Sequence, residues 1–182
     1  DMVEVLKEHG ACFMLQGING RYVDEENAKK MRERCMRLGL DIDGALNGMT
    51  LVEHPEQMPA LESGMYFDAD IPVDVMQKEV GNYIKITGAS FGKDRQMSGE
   101  MTKMGVNKAT GMQRLMDELK IGREDTIAFG DGPNDVEMLQ FAGTGVAMGN
   151  AIPAVKQYAD MVTDKIDEDG LYHAFERLHL LG

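Results

Sequence analysis

The stretch Thr126-Ile-Ala-Phe-Gly-Asp-Gly-Pro-Asn-Asp-Val-Glu-Met-Leu139 constrains this chain more than any other. Ile127 to Phe129 is a short apolar run bounded by polar residues and glycine, which reads as a buried strand of a parallel sheet. Gly130-Asp131-Gly132-Pro133 then forms a turn that no regular element runs through. Asn134 or Asp135 can cap the following helix, whose apolar positions are Val136, Met138 and Leu139. The order is strand, acidic loop, helix. Open parallel sheets take ligands at the carboxyl ends of their strands, so Asp131 and Asp135 stand where such a sheet presents its chemistry. Carboxylate oxygens there suit a hard cation such as magnesium, which uses few protein ligands and keeps waters or phosphate oxygens. Without its surroundings the loop reads equally well as an ordinary connection, because Gly, Asp, Pro and Asn are common turn formers.

The surroundings alternate strand and helix. Asn107 is a good N-cap for a helix opening at Lys108, with Met112, Leu115, Met116 and Leu119 as its apolar stripe. After the acidic loop and its helix, ending at Phe141 and Ala142, Thr144 to Met148 reads as a strand and Pro153 to Tyr158 as a short helix. Met161-Val162 reads as a short strand. Asp167 to Gly170 leads into a last helix with Leu171, Ala174, Phe175 and Leu178 buried. This alternation implies a Rossmann-like parallel sheet. Lys108 opposes the helix dipole at its position, unless an anion sits in front of helix and ammonium together. Taken alone it reads as an exposed surface lysine.

The first half has a different rhythm. A helix over residues 1–9 is followed by a strand from Ala11 to Gln16, a Gly17 to Gly20 turn and a return strand, Arg21 to Val23. Asp24 caps a charged helix through Leu38 with Ala28, Met31, Cys35 and Leu38 on one face. Asp41 to Leu46 reads as a loop. Short elements follow: a strand at Thr50 to Val52, a helix from Pro55 to Leu61, a strand at Met65 to Phe67 and a helix from Ile71 to Val80. Tyr83 to Thr87 and Arg95 to Thr102 read as strands.

The 182 residues carry a formal charge of -12. Such a surface repels nucleic acid and anionic membranes, so neither is expected as a partner. A phosphate site on it needs local cations or a metal. Hydrophobic residues at 43% permit a sizeable core. Cys12 and Cys35 lack metal spacing and read as buried free thiols, and no run resembles a signal peptide or a membrane span, so a cytoplasmic location is expected. His9, His54, His173 and His179 share no metal spacing either. Acidic clusters at Asp41-Asp43 and Asp164 to Asp169 raise a calcium-binding reading, but neither has the spacing of a calcium loop.

The Gly130 to Asp135 loop followed by Glu137-Met-Leu139, with Lys108 upstream and Gly145-Val-Ala-Met-Gly-Asn-Ala151 downstream, closely resembles the haloacid dehalogenase superfamily, and within it the Cof-type phosphatases. The resemblance is specific over residues 103–182. It implies an α/β fold: residues 103–182 as the C-terminal half of a Rossmann-like core, and residues 1–102 as an α+β cap domain, a part that rests on element order alone. It implies a magnesium-dependent hydrolase of small phosphorylated metabolites, a sugar-phosphate-type phosphatase, working through an aspartyl-phosphate intermediate. Asp131 would be the metal ligand, and Lys108 would hold the phosphoryl group and screen the carboxylates. Asn134 would hydrogen-bond phosphate or orient the loop, and Asp135 would support the metal's waters and Lys108.

The nucleophile pattern of that family, Asp-x-Asp-Gly, occurs at Asp41-Ile-Asp43-Gly44, but the preceding Glu33 to Leu40 has a helical period and two arginines instead of a buried strand. Thr87-Gly88 imitates the second motif but lies too close to Lys108. Both motifs are therefore expected to be missing from these residues, with Ile127 to Phe129 lacking a sheet neighbour on one side. The chain, which opens on Asp1, reads as part of a longer polypeptide. The alternative function is a non-catalytic module that binds phosphorylated metabolites. The residues specify neither the natural substrate nor the oligomeric state.

Overall fold

The computed structural model describes residues 2–89 and 96–181. Asp1 and Arg95, which begin two of the expected elements, lie outside that range. The chain divides into two compact units, Asp1–Met104 and Gly105–Gly182.

The first unit is built on a six-stranded sheet in the order β3-β2-β1-β4-β6-β5. Its strands are β1 (Cys12–Gly17), β2 (Gly20–Val23), β3 (Met49–Leu51), β4 (Leu61–Phe67), β5 (Ile84–Gly88) and β6 (Gly99–Lys103). All pairs are antiparallel except β2 with β3, which is parallel. Alternation along β1 feeds two cores. Phe13 and Leu15 join Tyr66, Ile86 and Met101 under α1 (Met2–Glu8) and α4 (Val73–Val80), which contribute Val3, Leu6 and Met76. Cys12 and Met14 face the other way, toward Met31 of α2 (Glu25–Leu38). Full burial of side chains such as Leu6, Phe13 and Met76 stabilises the fold by about 1.5–3 kcal/mol each.

Local chemistry fixes α2. The Asp24 carboxylate accepts from the Asn27 amide at 2.7 Å, and Gly39 closes the helix in the left-handed region. Asn27, itself buried, accepts from the Phe13 amide at 2.9 Å and so ties helix to strand. Asp41 to Leu46, expected as a loop, contains a short helix, α3 (Ile42–Leu46), because the Asp41 carboxylate accepts from the Asp43 amide at 3.1 Å and caps it. The helix expected over Pro55 to Leu61 is only a 3-10 turn, Pro55–Gln57, and β4 starts earlier than expected, at Leu61. Proline starts a turn readily, but here the backbone of Leu61 to Met65 pairs with β1 instead.

The second unit holds a three-stranded parallel sheet in the order β7-β8-β9: β7 (Ile127–Gly130), β8 (Thr144–Ala147) and β9 (Met161–Val162). Around it run α5 (Lys108–Leu119), α6 (Val136–Phe141), α7 (Pro153–Lys156) and α8 (Gly170–Arg177). Its core gathers Ala128, Leu139, Ala142, Ala147, Ala151 and Val155, and Phe129 stacks on Phe175 of α8 with ring centroids 5.3 Å apart. Among the described residues β7 has β8 as its only strand neighbour.

The burial expected of Leu171 fails, since it is 41% exposed, and in the α5 stripe Leu115 and Leu119 are 59% and 57% exposed. Helical spacing identifies an apolar face but not the surface that covers it, and of the α5 stripe only Met116 is fully buried, with Met112 packed at the edge of the core.

Candidate active site

The site lies at the carboxyl end of β7. The strand stops at Gly130, where an added Cβ would sit 2.5 Å from Cβ of Asp135 and 2.8 Å from its carboxyl carbon. Only glycine lets the strand end pass this close to the acidic side chain. Gly132, Pro133 and Asn134 then turn the chain through a 3-10 turn, Pro133–Asp135, into α6.

Asp135 folds back over its own loop. Its Oδ2 accepts from the amides of Asp131 and Gly132, at 2.9 and 3.0 Å. Its Oδ1 accepts from the Lys108 ammonium. The side chain is buried, whereas that of Lys108 is half exposed. Burial by itself pushes the Asp135 pKa up, but the Lys108 hydrogen bond, the two amides and the lysine charge outweigh it and hold the carboxyl below its ordinary value. Asp135 is thus an anion that organises the loop.

Lys108 is delivered by a strong helix start. Asn107 accepts from the Thr110 amide at 2.9 Å, and Thr110 Oγ1 accepts from the Asn107 amide at 3.0 Å, a reciprocal cap. The cap fixes Lys108 as the first helical residue, where Asp135 offsets its conflict with the helix dipole. An ammonium has three N–H donors, so the lysine keeps capacity for a second anion beside Asp135.

Asp131 is exposed at the mouth of the loop, and its Oδ2 accepts from Asn150 Nδ2 at 2.9 Å. Lys108, Asp131, Asp135 and Asn150 line one cleft of about 360 Å³, walled by Phe129, Gly130, Met148, Ile166 and Leu171. The structure therefore brings together three of the four residues singled out from sequence. Asn134 is half-buried in the 3-10 turn and is not part of the cleft lining.

Asn150 is the residue that sequence reasoning missed. β7 and β8 are parallel with Gly130 opposite Ala147, so the residues just past Ala147 emerge beside Asp131. The signal was a polar residue just beyond the end of the neighbouring strand, and it needs the strand order to be read.

Other sequence candidates have structural places of their own. Asp41 caps α3, and Thr87 lies in β5, an edge strand of the first unit's sheet. Asp164 is engaged by His173 and Arg177, at 3.0 and 2.8 Å. Both cysteines are free and buried, and burial raises the Cys12 thiol to about 12.

No group of three or more His, Cys, Asp or Glu side chains among the described residues is placed to hold a metal. At the cleft the exposed Asp131 carboxylate is the donor that fits an ion taking one carboxylate and otherwise keeping water or phosphate oxygens. Magnesium behaves so.

The haloacid dehalogenase-like hydrolase family matches residues 1–175. The chain belongs to that family. Within the haloacid dehalogenase-like hydrolases it is of the Cof type. It is 56% identical over 72 residues to the 5-amino-6-(5-phospho-D-ribitylamino)uracil phosphatase YitU of Bacillus subtilis (strain 168), covering 40% of this chain and 27% of that protein. It is 34% identical over 132 residues to phosphatase YwpJ of the same organism, covering 62% of this chain and 44% of that one. Among solved structures, the subclass IIB sugar phosphatase BT4131 superposes with a TM-score of 0.77 at 27% identity, over 99% of this chain and 65% of that one. The chain thus spans less than two thirds of these relatives' length. Among the described residues, no helix is long and apolar enough to cross a membrane.

Proposed function

We propose that this haloacid dehalogenase-like chain carries the metal- and phosphate-holding half of a magnesium-dependent phosphatase acting on small phosphorylated metabolites of the sugar-phosphate type. The observation that carries the reading is the convergence of Lys108, Asp131 and Asp135 on one cleft. Asp131 would contribute a carboxylate oxygen to magnesium, which when bound offsets the charge of an incoming phosphate. Lys108, held by Asp135, would bind the phosphoryl oxygens, and Asn134 would support the loop beside them. Residues 1–102 would serve as the cap and 103–182 as the second half of the core. The named substrates of YitU and BT4131 support the substrate class. A cytoplasmic setting fits two free buried thiols.

Of the two aspartates lining this cleft, Asp135 is held by Lys108 and two backbone amides and Asp131 is assigned to the metal, so neither is read as the aspartate of the aspartyl-phosphate intermediate. The 182 residues by themselves are therefore proposed to hold phosphate without turning it over. The same observation favours a second reading, a module that binds phosphorylated metabolites without catalysis.

Phosphate release from sugar phosphates, followed with and without magnesium, tests the proposal. A polypeptide that supplies a nucleophilic aspartate to this cleft should release phosphate only with magnesium and should lose this in Asp131→Asn. Magnesium-dependent turnover by the verified 182-residue chain would contradict the assignment of roles. Calorimetry separates the module reading, which requires tight binding of the phosphorylated compound without metal.

A further inference from the structure

We propose that Asn150 is a positioning residue that holds the Asp131 carboxylate to one-oxygen coordination, so that the site prefers a small octahedral cation over calcium. The inference rests on the reading of Asp131 as a metal ligand.

Asn150 is held from both ends of its amide. Its Oδ1 accepts from the Ile166 amide at 3.1 Å, and its Nδ2 donates to Asp131 Oδ2 at 2.9 Å. A backbone N–H can only donate, so Ile166 fixes which end of the Asn150 amide is oxygen and turns the NH2 group toward Asp131. The backbone around Asn150 is also fixed. Met148 donates to the Gly130 carbonyl, Gly149 to that of Asp164 and Ala151 to that of Met148, each at 2.9 Å. Lys156 Nζ donates to the Gly149 carbonyl at 2.6 Å.

The consequence falls on the cation. With Oδ2 occupied by Asn150, Asp131 offers a metal its other oxygen. Calcium commonly takes both oxygens of a carboxylate at long distances and uses more ligands, whereas magnesium uses single oxygens at short distance in an octahedron. A donor locked onto Oδ2 therefore works against calcium. Asparagine suits the position chemically. Aspartate would set a second acceptor against Asp131, and alanine would let the carboxylate turn.

The test is calorimetric titration of the purified protein with magnesium alone and with calcium alone, on the unsubstituted protein, Asn150→Ala, Ile166→Pro and Asp131→Asn. Ile166 opens the 3-10 turn Ile166–Glu168, a position that tolerates proline, so that substitution removes the N–H orienting Asn150 and trims the largely exposed Ile166 side chain at the cleft wall. Thermal melts establish which variants are folded. In Asn150→Ala, magnesium affinity should fall about ten-fold, the usual scale for losing a residue that orients a ligand. Calcium affinity should fall less, so the ratio of the two constants narrows. Ile166→Pro should narrow it in the same direction by a smaller factor, and it decides the matter if Asn150→Ala does not fold. An unchanged ratio in the folded variants, with magnesium binding lost in Asp131→Asn, overturns this proposal alone. Absence of magnesium binding in the unsubstituted protein, or its survival in Asp131→Asn, overturns both this proposal and the metal assignment beneath it.

Discussion

The Lys108 ammonium and the Asp135 carboxylate are paired across 27 residues of sequence, the lysine half exposed at a helix start and the aspartate buried in the turn after β7. The pair is unequal. Solvent screens the lysine, so Lys108→Ala should cost at most about 1 kcal/mol of stability. Asp135→Ala also strands the amides of Asp131 and Gly132, and should cost about 2–3 kcal/mol. Urea unfolding of both variants checks the order. Equal losses would mean that the ion pair, and not the loop amides, secures Asp135.

The same carboxylate predicts an acid limb. Its folded pKa lies below its unfolded value of about 3.9. The stability it adds is therefore fully present above the unfolded pKa and is lost as pH falls through the folded one. Stability measured as a function of pH should fall less steeply in this acid range for Asp135→Asn than for the unsubstituted protein. Identical slopes would contradict it.

Gly130→Ala should damage the site from behind. The new methyl would sit 2.5 Å from Cβ of Asp135, so the side chain must move or the strand end must shift. We expect a loss of about 1–3 kcal/mol, the usual range for overpacking, together with a shift of the Asp135 carboxyl resonance. A variant as stable as the original, with that resonance unmoved, would show that the loop has room.

The acidic loop was legible in the sequence because an apolar run, two glycines and a proline leave few conformations, and the Asn107 cap announced itself just as locally. What escaped depends on neighbours distant in sequence. Asn150 meets Asp131 only because β7 and β8 lie side by side in parallel. Leu115 and Leu119 have the right spacing for a core, yet spacing says nothing about what covers them. Leu61 looked like the end of a helix because its pairing with β1 could not be seen locally.

In the first unit, His9 is held between Glu79, at 2.9 Å, and Asp70, at 2.7 Å. Hydrogen bonds to Glu79 and then Asp70 raise its pKa above 6.5. The stabilisation is fully present below the unfolded value and fades as pH rises through the folded one. The melting temperature should thus be higher near about pH 6 than near about pH 9, and His9→Gln should shrink the difference. If His9→Gln retains the full difference, the histidine is not its source.

Tyr66 is fully buried, and its hydroxyl has no hydrogen-bond partner among the described residues. Burial raises its pKa to about 12. Removing the hydroxyl in Tyr66→Phe should be neutral or stabilise by about 1 kcal/mol. Clear destabilisation in urea would reveal a partner for the hydroxyl.

The central claim is that the cleft between Lys108 and Asp131 is where magnesium and phosphate are held. Amide and side-chain NMR of the protein, titrated with magnesium and then with inorganic phosphate, tests it most directly. The account predicts shifts at Gly130, Asp131, Gly132 and Asn150 with magnesium, and at Lys108 with phosphate, all weakened in Asp131→Asn. Shifts confined to other residues, or none at all, would contradict it.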